Sequence, residues 1–374
     1  FLQKNYTRAL SLYEKIIAGG GANGEYATFQ KGILLGLLNR NSDKLALMQQ
    51  IAKSKPASAY ALNARYEIAL THVDMEAYKQ ALPILRYLYD SSVDKSFASR
   101  ALMKTGFALQ QMNDNAGAIA AYRKVVLEHP GAEERFAALE ALKGLYVQTN
   151  QPGKYADLLS EGNLPSGDST AVEAAYYSAG ESQFSAGKWQ DARRAFSDYL
   201  LHYPNGMSSV KAHYYLAECN YRLKKYTDAL EHYNKVLETP WNDFSESSAM
   251  RAGIVAMELK NYEAAWTIYN NLRTNSAENS RSENIYRGLL KSAFNTARCT
   301  EANMYADTLL NIPGISADGT TEARFYKARC LQTTERGNAA IEAFRQIAGS
   351  RTSEIAAESR FRIAEVMFQQ GRFA

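Results

Sequence analysis

A small residue recurs along this chain at a nearly constant spacing, and this period limits the fold more than any other feature. It stands in a phrase that runs aromatic, two polar residues, alanine, three residues, aromatic, as in Trp189–Phe196 and Tyr226–Tyr233. A period of about 37 residues over 374 residues is typical of a repeat protein, in which length does not indicate domain number. Extending the phrase to weaker copies places the alanine at ten positions, 35 to 38 residues apart: Ala9, Ala46, Ala81, Ala118, Ala156, Ala192, Ala229, Ala265, Ala302 and Ala340.

A second small residue stands twelve positions before most of these alanines. Two antiparallel helices approach closely only where side chains are small, with larger neighbours three and four residues away interlocking around the contact. The 25 tyrosines and only 8 prolines fit helices that pack through rings. We therefore predict an all-α fold with one helix-turn-helix pair per repeat. The second set of small residues is Ala69, Gly106, Gly144, Gly180, Ala217, Gly253 and Ala328.

The best-preserved copy of the repeat is YYSAGESQFSAGKWQDARRAF, residues 176–196, with Pro204 closing the unit. This copy resembles the tetratricopeptide repeat family. The resemblance extends over essentially the whole chain, with weaker copies around Ala46, Ala156 and Ala302. It implies a right-handed α-solenoid of about ten helix-turn-helix repeats.

Both ends of the sequence read as partial repeats. Residues 5–17 are predicted to form only a second helix and residues 353–370 only a first helix, so we expect the array to be cut mid-repeat and to continue beyond both ends. A short second helix over 154–159 is followed by a loop rich in Gly, Pro and Ser. We predict two subarrays, 1–159 and 171–374, joined by an irregular loop over 160–170 that acts as a hinge.

Motifs for catalysis and for metal or cofactor binding are missing from the sequence. The five histidines are dispersed, with no pair at the i, i+3 or i, i+4 spacing that places two ligands on one helix face. The three cysteines have no CxxC spacing, and the glycines of 19–24 lack the Gly-Lys-Ser/Thr of a phosphate loop. We expect no enzymatic activity, no metal and no cofactor.

The charge pattern and hydropathy of the chain argue against two classes of partner, nucleic acid and the membrane interior. A net charge of +4 without clustered Lys/Arg stripes argues against nucleic acid. The longest apolar stretch, residues 33–38, is too short for direct membrane insertion of this segment. Another protein or a peptide is the expected partner.

In tetratricopeptide arrays the first helix of each repeat lines a concave groove. The resemblance therefore points to the residues three before, one after and four after the earlier small residue as peptide-binding positions. Aromatic rings bury area at low entropic cost, and the two glutamates would favour Lys or Arg in the ligand, although each ring could instead pack on the adjacent helix. Neighbouring repeats offer Met103, Phe107 and Gln110. The predicted groove residues are Tyr177, Glu181, Phe184, Tyr214, Glu218, Tyr221, Met250 and Met257.

The leading hypothesis is a non-catalytic scaffold that binds a peptide or protein segment in this groove. The phrase Tyr203-Pro-Asn-Gly206 is similar to repeats of bacterial cell-envelope proteins of the β-barrel-assembly lipoprotein and periplasmic envelope-coordinator type. That likeness implies a periplasmic or outer-membrane-associated location, with the cytoplasm as the alternative. The alternative functions are an accessory domain of a larger enzyme or of a secretion or assembly machine, a spacer or self-assembling array, and glycan binding through the tyrosines.

Overall fold

A computed structural model describes residues 6–21, 23–54, 58–91, 95–164, 169–276, 282–334, 336–349 and 354–372. Within these ranges all regular structure is helical, in twenty helices, which confirms the predicted all-α fold. The chain divides into two compact units, Phe1–Ala175 and Tyr176–Ala374, and the division falls inside α10.

The helices of the first unit are α1 Tyr6–Gly19, α2 Gly24–Leu37, α3 Asn41–Ser54, α4 Ala59–Asp74, α5 Tyr78–Ser91, α6 Lys95–Gln111, α7 Asn115–Glu128, α8 Arg135–Gln148 and α9 Gly153–Glu161. Helix α10 is Ser169–Ser185. The second unit continues with α11 Trp189–His202, α12 Ser209–Arg222, α13 Tyr226–Leu237, α14 Ser245–Glu258, α15 Tyr262–Asn275, α16 Glu283–Asn295, α17 Cys299–Leu310, α18 Ala317–Thr333, α19 Gly337–Ala348 and α20 Glu354–Gln369. Even-numbered helices are the first helices of repeats, and odd-numbered helices are the second.

One turn recurs at the ends of first helices, wherever the structure describes every residue of the turn. The helix ends in a left-handed residue, and the next N–H bonds back to the carbonyl five residues earlier, as from Lys225 to Asn220 at 2.8 Å. This pattern is a Schellman motif, which satisfies carbonyls that the helix end leaves free. Successive left-handed residues are 36 or 37 residues apart, except for a gap of two repeats between the last two. They are Asn39, Glu76, Asn113, Asn150, Gly187, Lys224, Lys260, Ala297 and Gly371.

Seven residues before the left-handed residue lies the position of closest approach between the two helices, here called the contact position. A methyl group added to Gly106 would lie 2.5 Å from the Tyr122 ring. A methyl group added to Gly180 would lie equally close to the Phe196 ring, and one added to Gly253 equally close to the Tyr269 ring. These contacts confirm the predicted close approach at Gly106, Gly180 and Gly253, and they fix which face of each helix is buried.

Five residues after the left-handed residue lies the buried anchor of the second helix. The predicted alanines hold this position in seven repeats, where each is at most 1% exposed. The assignments at Ala46 and Ala156 were wrong, because Ala46 is exposed and Ala156 is half-buried. The register places Lys44 and Tyr155 there instead. The seven confirmed anchors are Ala81, Ala118, Ala192, Ala229, Ala265, Ala302 and Ala340.

Lys44 shows how a charged residue can replace the anchor alanine. Its side chain is largely buried, and its ammonium forms an ion pair with Glu67 of α4 at 2.7 Å. Gly36 makes room for it, since a methyl group there would meet the Lys44 side chain at 2.9 Å. The search for alanine therefore gave the wrong anchor residue in this repeat. The left-handed turn, in contrast, recurs here at the same spacing as in the other repeats.

The α8–α9 pair is the irregular repeat. Helix α9 has only nine residues, which confirms the predicted short second helix. Gly144 is exposed with nothing within 4 Å of an added methyl group, so its predicted close contact was wrong. Residues 165–168 of the predicted hinge, like residues 5 and 353 at the predicted helix ends, lie outside the described residues. The division into 1–159 and 171–374 stays a prediction.

Candidate protein-binding face

First helices of successive repeats contact one another within each unit. In the first unit, the ring of Phe29 on α2 lies 5.9 Å from Tyr60 on α4, and Tyr66 on α4 lies 5.3 Å from Phe97 on α6. In the second unit, Arg287 on α16 bonds to Glu322 on α18 at 2.8 Å. Consecutive first helices therefore form a continuous surface in each unit, here called the first-helix face.

One position of the repeat can be used to compare this face between repeats. It lies six residues before the left-handed residue, directly after the contact position, and is here called the face position. Because one residue turns an α-helix by about 100°, the face position lies on a different side of the first helix from the contact position. The residues at the face position are Ile33, Leu70, Phe107 and Gly144 in the first unit, and Glu181, Glu218, Ile254, Lys291, Arg329 and Glu365 in the second.

In the first unit the face is apolar. Ile33 and Leu70 are half-buried, and Phe107 is 39% exposed. Large apolar side chains beside them are also accessible, with Tyr26 at 45% and Leu37 at 49% exposure. Contiguous accessible apolar residues on adjacent elements are typical of interaction surfaces, whereas single ones are common on any protein.

Two of the groove residues predicted in the second unit are buried. Tyr177 is 7% exposed and packs between the rings of Phe196 and Tyr199, each at 5.8 Å. Burial, with the charge of Glu181, raises the pKa of the Tyr177 hydroxyl. Tyr177 therefore joins α10 to α11 and offers little surface to a ligand.

Glu218 is the second buried residue of the predicted groove. It is 6% exposed and accepts a hydrogen bond of 2.6 Å from the Tyr233 hydroxyl. Arg251 of the next first helix lies 3.6 Å from the same carboxylate oxygen. Burial and this hydrogen bond to Glu218 raise the pKa of Tyr233. The carboxylate is thus used within the repeat, where it joins three helices.

The other predicted residues remain at least partly accessible. Glu181 is exposed. Phe184 is half-buried, and its ring centre lies 5.1 Å from that of Trp189 in an edge-to-face arrangement. Tyr214 lies 5.1 Å from Phe244. Tyr221 lies beneath the Arg251 guanidinium at 5.0 Å, and Met250 and Met257 are half-buried on α14. Whether these residues bind a peptide stays a prediction.

From α16 to α20 the first-helix face is charged. Glu322 is largely buried and accepts hydrogen bonds from both Arg287 and Lys291 at 2.8 Å. Burial opposes ionisation of Glu322, but these two bonds hold its pKa below the ordinary value. On the next repeat, Arg362 pairs with Glu358 and Glu365. Ion pairs between side chains here occupy the surface that apolar residues occupy in the first unit.

Arg329 is a cation of this charged part that has only a long ion pair. Its guanidinium lies 4.0 Å from Glu358 and 5.0 Å from the centre of the Phe294 ring. Burial and the neighbouring Arg362 lower its pKa. Sequence reasoning did not select Arg329, Lys291, Ile33 or Leu70 as face residues. Their spacing of 36 to 38 residues along the face position is the signal that identifies them.

Several solved structures are similar to this chain at low identity. The Naa15/Naa10 structure bound to HypK-THB matches at 14% identity and a TM-score of 0.47, covering 99% of this chain and 59% of that chain. This chain thus spans 59% of the length of that relative. The P58(IPK) TPR domain matches at 14% identity and a TM-score of 0.29, covering 92% of this chain and 99% of that domain. A tetratricopeptide repeat protein from Parabacteroides merdae matches at 14% identity and a TM-score of 0.31, covering 73% and 100%.

Two stretches of the sequence match family models. Residues 177–244 match one tetratricopeptide repeat model, and residues 100–132 match another of the same description. A search of curated proteins finds no match. The matched stretches contain Gly106, Gly180, Ala192 and Ala229, which hold the contact and anchor positions described above. Residues 100–132 and 177–244 are therefore similar to tetratricopeptide repeats.

Proposed function

We propose that this chain is a non-catalytic scaffold that binds a segment of another protein on the first-helix face of its first unit. The observation that carries this proposal is the accessible apolar set Ile33, Leu70 and Phe107, which recurs at the face position of three successive repeats. Tetratricopeptide repeats mediate protein–protein interactions, and the repeat fold is generally an interaction scaffold rather than a catalyst.

The spacing of these residues defines the size of the ligand. First helices that pack side by side lie about 10 Å apart, so residues 33, 70 and 107 span about 20 Å. An extended segment of about six residues, or about thirteen residues of helix, covers that length. A suitable ligand presents two or three apolar side chains along one side, because burial of each contributes about 1.5–3 kcal/mol.

The second unit supplies a separate proposed contact. Exposed Glu181 favours a Lys or Arg side chain, and the half-buried rings of Phe184, Tyr214 and Tyr221 lie on the same first-helix face. Glu218 contributes less than Glu181, since its carboxylate is already bonded to Tyr233. We therefore propose Glu181 as the main acidic determinant for a basic residue in the ligand.

Two further findings bear on the class of function. Among the residues that the structure describes, no group of three or more His, Cys, Asp or Glu side chains is placed to hold a metal ion. Within the same ranges, no helix is both long and apolar enough to cross a bilayer.

The cellular location is a second proposal, and it places this chain in a bacterial cell envelope. It is supported by the loop that contains Tyr203-Pro-Asn-Gly206 and its likeness to envelope repeat proteins. Fractionation of the native host, with immunodetection of the endogenous protein, tests it. Recovery with periplasmic or outer-membrane fractions is expected, and recovery with the cytoplasmic fraction would contradict it.

The binding proposal is tested by affinity purification from the native host with Leu70→Glu/Phe107→Glu. The charges are expected to abolish capture of the partner, because two carboxylates would then face its apolar side chains. Phe136→Glu is the matched control, since Phe136 is 74% exposed and lies outside the face position. Equal capture by the double variant would exclude the first-unit face. If even the unmodified chain captures nothing and light scattering shows oligomers, a self-assembling array replaces the scaffold.

A further inference from the structure

Two histidines that are distant in sequence meet between α12 and α13. His213 and His232 are nineteen residues apart, yet their Nδ1 atoms lie 3.2 Å from each other. The ring centres are 5.3 Å apart and the ring planes are inclined by 30°. Both side chains are half-buried in the helix pair. Spacing along one helix could not reveal this pair, because the turn at Lys224 brings the two rings together.

Burial favours the neutral form of both imidazoles. Burial and the neighbouring His232 lower the pKa of His213 to about 4, and burial also lowers the pKa of His232. A neutral imidazole carries one N–H and one lone pair. When one Nδ1 is protonated, it can donate to the other. When both protons sit on Nε2, the two Nδ1 lone pairs face each other across 3.2 Å.

We propose that His213 and His232 form a binding site for a divalent late first-row transition metal, held by the two Nδ1 atoms. Metal–imidazole bonds are about 2.0–2.1 Å long, so two nitrogens 3.2 Å apart subtend about 100° at a metal placed between them. That angle is close to tetrahedral. The separation is therefore compatible with both nitrogens binding one metal after rotation of the rings, and neutral imidazole is a preferred ligand of Zn²⁺, Cu²⁺ and Ni²⁺.

The charges around the pair set the strength of the site. Asp228 and Glu231 act on His232, and Glu238 acts on His213, so three carboxylates favour a cation. Lys235 opposes it at both histidines. No third His, Cys, Asp or Glu in the described part of the chain completes a group of three, so the remaining positions of a bound metal would be left to water. This donor set predicts moderate affinity, with Cu²⁺ bound more tightly than Zn²⁺.

The test is calorimetric titration of the full chain with Cu²⁺ at pH 7, followed by electron paramagnetic resonance. We expect one equivalent to bind, with hyperfine coupling from two imidazole nitrogens. Either His213→Gln or His232→Gln should weaken binding at least tenfold. His129→Gln is the matched control, because His129 lies in the other unit.

Several outcomes would overturn the proposal. Binding that is unchanged in both glutamine variants would assign the metal to other residues. No binding at millimolar Cu²⁺ would mean that the two rings only share a hydrogen bond. If a variant unfolds, the resonance spectrum of the unmodified chain still decides, because coupling to fewer than two nitrogens contradicts the site.

Discussion

The first-helix face of α2–α6 and that of α16–α18 use the same register position for opposite chemistry. Ile33, Leu70 and Phe107 present apolar side chains, whereas Lys291 and Arg329 present cations. In the charged part, neighbouring first helices neutralise one another through partners such as Glu322. In the apolar part, Ile33 and Leu70 are half-buried and Phe107 is exposed. The apolar part is therefore the better candidate for binding another protein.

Within each repeat, the residues that determine folding differ from those available for binding. The contact position tolerates little change because rings such as Tyr122 fill the space beside it. The face position, one residue later, varies from Phe107 to Gly144 to Glu181 while the turn and the period are preserved. Residues of the turn and the contact thus specify the fold, whereas the face position varies, with Glu218 used inside its repeat and Phe107 exposed.

Gly106 and Phe107 test this separation with the largest expected effect. Gly106→Leu should destabilise the α6–α7 pair by about 3 kcal/mol, because the added side chain overlaps the Tyr122 ring. Phe107→Ser should cost less, about 1 kcal/mol, because the Phe107 side chain is only partly buried. Denaturant unfolding monitored by circular dichroism, with hydrogen exchange of α6 and α7, measures both. Equal losses would mean that the face position is structural.

Glu322 tests whether the charged part stabilises itself. Glu322→Ala removes the acceptor of both Arg287 and Lys291, and it should cost about 2 kcal/mol because two partly buried cations lose their partner. Glu181→Ala, at an exposed carboxylate of the same unit, is the control and should be close to neutral. Denaturant unfolding gives both values. A neutral Glu322→Ala would show that these charges are free for a ligand.

Acidification should affect the α12–α13 pair of the second unit. The folded-state pKa of His213 is about 4, below its ordinary value of 6.5, so the unfolded chain binds more protons between these values. Stability from this group is present above pH 6.5 and is lost as pH falls towards 4. With a chelator present, hydrogen exchange in α12 and α13 should accelerate over this window. His213→Gln should show a smaller acceleration, and an identical one would exclude His213 as the cause.

The left-handed residues give the smallest predicted difference. Asn occupies this position at 39, 113 and 150 in the first unit, whereas the second unit has Lys224, Lys260 and Ala297 with φ between 56° and 59°. Asn tolerates this conformation better than Lys or Ala. Lys224→Gly should therefore stabilise the second unit by about 0.5 kcal/mol, and Asn113→Gly should have a smaller effect. Thermal unfolding of the paired variants measures the difference, and a destabilised Lys224→Gly would contradict it.

Much of the fold could be predicted from the sequence because small residues and rings repeat at helical spacing. The helical class, the repeat period and the short second helix α9 all follow from that pattern. Placement by residue type failed at Ala46 and Ala156, where Lys44 and Tyr155 fill the anchor position. A buried lysine in an alanine position depends on Glu67 and Gly36, which lie on two other helices.

The candidate site was harder to predict for a physical reason. Helical spacing shows which side of a helix Tyr177 and Glu218 occupy, but it does not show how deeply the adjacent helices cover them. The burial of Glu218 depends on Tyr233 and Arg251, which belong to two further helices. The meeting of His213 with His232 likewise depends on the geometry of a helix pair. Such contacts between helices carry no fixed sequence spacing.

Site-specific photo-crosslinking in the native host tests directly whether the first-unit face binds the partner. A photoreactive phenylalanine analogue is placed in turn at residues 70 and 107 of the apolar face, at 291 of the charged face, and at Leu201, which is 77% exposed on a second helix. We expect crosslinks to one partner segment from positions 70 and 107, and none from 291 or 201. Crosslinks to that partner from 201 or 291 alone would contradict it.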